Sequence, residues 1–150
     1  MMPNRPFLGL PSKKLVMSLG FIAFLLSTSP LMAQDPICKN GLRDLKGSFD
    51  VLQGRGGIWA YLEQTPGLRD SSMLGLQVDG KLQRLIVVLE TMCKDGKTPT
   101  MESFNGIQSL IGDARVLFNL NTDKTTSEEI LTKVKAIIKS SDDLLASLGQ

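Results

Sequence analysis

The sequence predicts an all-α protein: an up-down-up-down four-helix bundle made of two repeated helical hairpins, behind an N-terminal signal peptide. Three observations carry this. Apolar residues recur at helical spacing through four stretches, no stretch alternates as a strand would, and the chain resembles itself at an offset of 55 residues. At that offset Cys38-Lys39-Asn40-Gly41 falls on Cys93-Lys94-Asp95-Gly96, and Ser48-Phe49-Asp50 on Ser103-Phe104-Asn105. Gln53, Gly57 and Leu62 likewise meet Gln108, Gly112 and Leu117.

Residues 1–33 read as the signal peptide. Arg5, Lys13 and Lys14 form a basic leader, Leu15 to Leu26 an apolar run, and Ala33 supplies the small residue ahead of cleavage before Gln34. The rival reading is an uncleaved anchor, against which Ser27, Thr28, Ser29 and Pro30 interrupt the run. Residues 34–150 then form one four-helix domain, with repeat 1 at 38–92 and repeat 2 at 93–148.

The first helix is expected along the stripe Leu45, Phe49, Leu52, Gly56 and Trp59. Gln53-Gly54-Arg55-Gly56-Gly57 sits badly in it, since each helical glycine costs about 1 kcal/mol against alanine. Two readings follow. Small residues admit a close neighbour, or the helix breaks and exposes Arg55 beside the free amides of a new helix start. The second helix follows Val78, Leu82, Leu85, Leu89 and Met92, widened by Ile86 and Val88, and stops at Gly96. The third, capped by Thr98 with Pro99 at its first position, carries Met101, Phe104, Ile107, Ile111, Ala114 and Phe118. The fourth opens on the capping box Thr126-Ser127-Glu128-Glu129 and follows Leu131, Val134, Ile138, Leu145 and Leu148, with Ile130, Ile137 and Leu144 alongside. Turns are placed at residues 65–70 and 121–125.

The duplication implies a pseudo-twofold bundle in which large and small residues trade places. Gly56 would stand where Ile111 does, and Trp59 where Ala114 does, keeping the core volume constant. Gln53 and Gln108 would hydrogen-bond across the axis. Cys38 and Cys93 occupy matching places at one end, and in an exported chain they are expected to form a disulfide, with two free thiols as the alternative. Such a bond closes a loop worth on the order of 4 kcal/mol in the chain-entropy model.

The chemistry on offer is narrow. The chain has no histidine, which removes Ser-His-Asp and Cys-His nucleophiles and histidine-held zinc, haem or di-iron. Met73, Met92 and Met101 do not cluster, and no inward carboxylate pair stands out, so no metal site and no cofactor are assigned. Of the 17 basic residues three lie in the leader, leaving 14 against 15 acidic ones. No basic excess remains for nucleic acid, and no membrane contact is expected after cleavage.

These features point to a non-enzymatic exported bundle, secreted or periplasmic, acting as a protein-binding or accessory subunit with an unidentified protein partner. Arg55 and Tyr61 are the expected partner contacts, because arginine and tyrosine are enriched at binding hot spots. One alternative is a carrier of a small apolar ligand or cofactor, with a pocket at Gly56, Trp59 and Ala114 between the hairpins. The other is a secreted effector or signalling bundle.

Overall fold

The structure, a computed structural model, describes residues 35–150. The segment expected to be a signal peptide, with its expected cleavage before Gln34, lies outside the described residues. Among the described residues five α-helices build four limbs: α1 (Pro36–Gln53) and α2 (Gly57–Gln64), α3 (Ser72–Lys94), α4 (Met101–Leu117) and α5 (Ser127–Ser147). One 3-10 turn, Arg69–Ser71, leads into α3. None of the described helices is long and apolar enough to cross a membrane.

Local chemistry explains most boundaries. Asp35 caps α1 by accepting from the Ile37 amide at 2.9 Å, ahead of Pro36 in the first turn. The capping box at Thr126 and Glu129 forms in both directions, at 2.9 and 3.2 Å. At the end of α3 the amides of Gly96 and Lys97 donate to the carbonyls of Cys93 and Met92, a Schellman stop. The start of α4 is a correction. The cap is Thr100, not Thr98, and it accepts from the Ser103 amide. Thr98 instead donates to Asp35 Oδ2 at 3.0 Å, fastening the α3–α4 loop to the start of α1, while Pro99 is buried.

The core follows the expected stripes on three limbs in part: Met101 is exposed, Met92, Phe118, Leu131, Ile138 and Leu148 are only partly buried, and on α5 the buried face is shifted to Ile130 and Ile137. Val78, Leu82, Leu85, Ile86 and Leu89 of α3 meet Phe104, Ile107, Ile111 and Ala114 of α4 and Ile130, Val134, Ile137 and Leu145 of α5 in one buried cluster. Ser141 is the one buried polar residue among the described residues, and its hydroxyl donates to the Ile137 carbonyl at 2.8 Å.

The limbs alternate in direction, yet the two hairpins do not share a twofold axis. Antiparallel pairing of the first two limbs is fixed by Lys46 on Glu90 and by the Ile58 amide on Asp79. The α4–α5 pair is antiparallel too, with Gly106 beside Leu144. Across the hairpins, however, α1 runs beside α4 in the same direction: the Phe104 ring lies on Gly41, and Gln108 donates to Ser48 at 2.9 Å. The α3 limb likewise packs on α5. Equivalent limbs are therefore parallel neighbours, and the hairpins stack side by side. The anticipated Gln53–Gln108 pair does not form for the same reason. A side-by-side stack brings Gln108 to Ser48, five residues before Gln53.

Cys38 and Cys93 are joined, with Cα atoms 5.9 Å apart. Their places differ, though. Cys38 lies in the first turn of α1, whereas Cys93 lies in the last turn of α3. The sequence match around them thus pairs a helix start with a helix stop.

Candidate functional site

The first limb breaks at Gly54-Arg55-Gly56, and this break organises the surface around it. Gly56 and Gly57 take φ of 87° and 70°, a region that costs a side-chain-bearing residue strain and costs glycine little. α2 therefore starts afresh, with amides that α1 cannot satisfy. Asp79 of α3 satisfies them. Its Oδ1 accepts from Ile58 at 3.0 Å and its Oδ2 from Trp59 at 3.1 Å, so one carboxylate clasps two successive amides. The second of the two readings of this segment describes the backbone, but the anion that occupies the new helix start belongs to the chain itself.

Burial pushes the Asp79 carboxyl up from its ordinary value, against the opposing pull of the Ile58 and Trp59 amides and of the Gln53 side chain. No lysine or arginine among the described residues forms an ion pair with it. Lys81, two residues on, is paired with Asp142 of α5.

The break also turns α2 relative to the stripe of α1. Ile58 fills the core completely, while Trp59 is 41 % exposed. This corrects the expectation that Trp59 is a core residue exchanging volume with Ala114. Ala114 is fully buried, and no large-for-small trade takes place. Gly75 lets α2 come close, since a Cβ there would sit 2.5 Å from the Trp59 nitrogen.

Trp59 and Gly56 line an open groove of about 460 Å³ between the first limb and α3. Phe49 and Gln53 continue the first wall; Leu76, Asp79, Gly80 and Gln83 form the second. Of the three expected pocket residues Gly56 and Trp59 line this groove, which lies within the first hairpin, and Ala114 does not. Leu76 is 46 % exposed, and Met73 and Val87 extend an exposed apolar line along α3.

Arg55 and Tyr61 lie elsewhere. The Arg55 guanidinium stands 5.5 Å from the centroid of Phe118, whose ring packs at 5.3 Å on Tyr61. This stack holds the break against the end of α4. Tyr61 is half-buried, and its hydroxyl is enclosed with no hydrogen-bond partner, while Thr65 donates to the Tyr61 carbonyl at 2.6 Å. Burial pushes the phenol up from its ordinary value. Tyr61 is thus turned inward and is not the free surface contact expected of it; Arg55 remains exposed while resting on Phe118.

The role of Asp79 had a faint signal in the sequence, an aspartate on the inward edge of the second helix next to Gly80. Nothing local linked it to a helix start twenty residues earlier. Neither protein-family models, nor curated proteins, nor solved structures yield a match to this chain.

Proposed function

We propose that the protein is an exported, non-enzymatic helical bundle that binds a protein partner as an accessory subunit, and that the partner covers the Trp59 groove. The observation that carries this reading is the outward placement of Trp59. The fold spends a helix break, two positive-φ glycines and a part-buried carboxylate to hold it beside exposed Leu76. Tryptophan is among the side chains most enriched at binding hot spots, and exposed Leu76 shares its groove, with Met73 and Val87 also exposed on α3. The disulfide suits an oxidising compartment outside the cytosol.

Crosslinking and purification from the native host tests this. The wild-type protein recovers a stoichiometric partner, and the paired surface change Trp59→Ser with Leu76→Ser loses it while the helical content stays the same. Undiminished recovery by that variant would remove this surface. A carrier would instead hold its ligand within the hairpin interface, where Ala114 is packed against the core.

A further inference from the structure

The groove beside Trp59 has a chemical selectivity of its own, which rests on the partner-binding reading and deepens it. We infer that the groove receives a lysine or arginine side chain, presented by an apolar segment of the partner protein, with its charged head on Asp79. Asp79 is the groove's only ionisable residue. Each of its oxygens accepts one backbone amide, and the Gln53 side chain adds a third, uncharged donor, which leaves lone-pair capacity on the carboxylate for a further one. Neutral amide donors do not amount to a counter-charge. When a partner covers the groove and expels water, an unpaired carboxylate there becomes more expensive unless the partner brings a cation.

The walls fit the rest of such a side chain. Phe49 and Trp59 supply aromatic faces for an aliphatic stem and a cationic head, and Leu76 faces them with an apolar edge. Gly80 is the second independent sign. It lies in the exposed middle of α3, where glycine weakens a helix, yet a Cβ there would meet nothing within 4 Å. Internal packing does not require this glycine, in contrast to Gly75. It keeps the groove floor open to something that enters from outside. A neutral or acidic insert would leave Asp79 without a counter-charge or set a like charge against it, so the basic occupant is the one the charge arrangement selects.

The sole tryptophan of the chain stands in this groove, so its emission reports occupancy. The probes are three helical peptides of the same length, built of leucine with lysine, with glutamine, or with glutamate. The leucine–lysine peptide should saturate a Trp59 blue shift with a dissociation constant about tenfold below that of the glutamine peptide, the scale of one enclosed charge pair. Gly80→Phe, which fills the floor, should abolish the shift. Asp79→Asn should erase the preference for lysine, and Asp143→Asn, the same charge change on exposed α5, should preserve it. Equal binding of the lysine and glutamine peptides overturns the inference, and so does lysine-peptide binding that survives Gly80→Phe. Self-association of the free protein that Gly80→Phe prevents would give the groove to a second copy and overturn it as well. These failures leave the partner reading standing, because that falls only when the native-host partner is still recovered without Trp59 and Leu76.

Discussion

Asp79 does the work usually left to a serine or aspartate just ahead of a helix, and it does so from a different helix. The residue before α2 is Gly56, which has no side chain to offer. Removing the carboxylate orphans two amides at once, one of them on fully buried Ile58. Asp79→Ala should therefore cost about 2 kcal/mol, the upper range for a lost cap, in urea unfolding. The pH dependence has a definite sign. The Asp79 carboxyl is raised in the folded protein, so the native state holds its proton more tightly than the unfolded chain. Its contribution is thus most favourable at low pH and is lost as pH rises through the folded value. Glu90 behaves in the opposite way. The Lys46 and Lys94 ammonium groups at 3.0 and 3.1 Å hold it below its usual value. Its contribution is present above the unfolded value and disappears as pH falls through the folded one. Subtracting the stability–pH curve of Glu90→Gln from that of wild type should leave a difference that vanishes on the acid side; for Asp79→Asn the difference should instead diminish toward neutrality.

At the scale of elements, two glycines of α3 carry opposite expectations. Gly75→Ala would drive a Cβ into the α2 backbone, which cannot yield as a side chain could, and should destabilise by about 1–3 kcal/mol. Gly80→Ala meets nothing and should stabilise by up to about 1 kcal/mol, the helix-propensity gain alone. Thermal melts of the two variants against wild type would distinguish them by the direction of the shift. The sequence made α3, α4 and α5 legible because their apolar periodicity is sustained and the stop at Gly96 and the capping box at Thr126 are local. The α4 cap, however, lies two residues later than expected, at Thr100. It made the trouble in the first limb legible too, as glycines inside an apolar stripe. What it hid was the outcome. A three-residue break shifts burial from Trp59 to Ile58, and the deciding contact is Asp79, remote in the chain. The groove was unreadable for the same reason, since its two walls become neighbours only once the limbs pack.

For the whole molecule, the side-by-side stacking of the hairpins limits what the internal resemblance means. Leu52 and Ile107 are both fully buried, whereas Phe104 is buried and its counterpart Phe49 is only partly so, on the wall of the groove. Beyond them the halves diverge, because one first limb is broken and the other, α4, is continuous. The disulfide spans this asymmetric arrangement. It ties the start of α1 to the end of α3 across 55 residues, so reduction should lower the unfolding free energy by up to about 4 kcal/mol in the chain-entropy model. Denaturant titrations with and without reductant measure that difference. Ala114 is fully buried in the core, and the groove that holds Trp59 lies on the first hairpin.

That surface exists only if the fold holds Trp59 outside the core, and the single tryptophan makes this directly measurable. Steady-state emission and acrylamide quenching of the folded, partner-free protein should show a red-shifted, readily quenched tryptophan, consistent with a side chain two-fifths exposed. Blue, quencher-resistant emission that appears without any partner would put Trp59 back among the core residues, and would contradict the broken limb, its Asp79 clasp and the groove together.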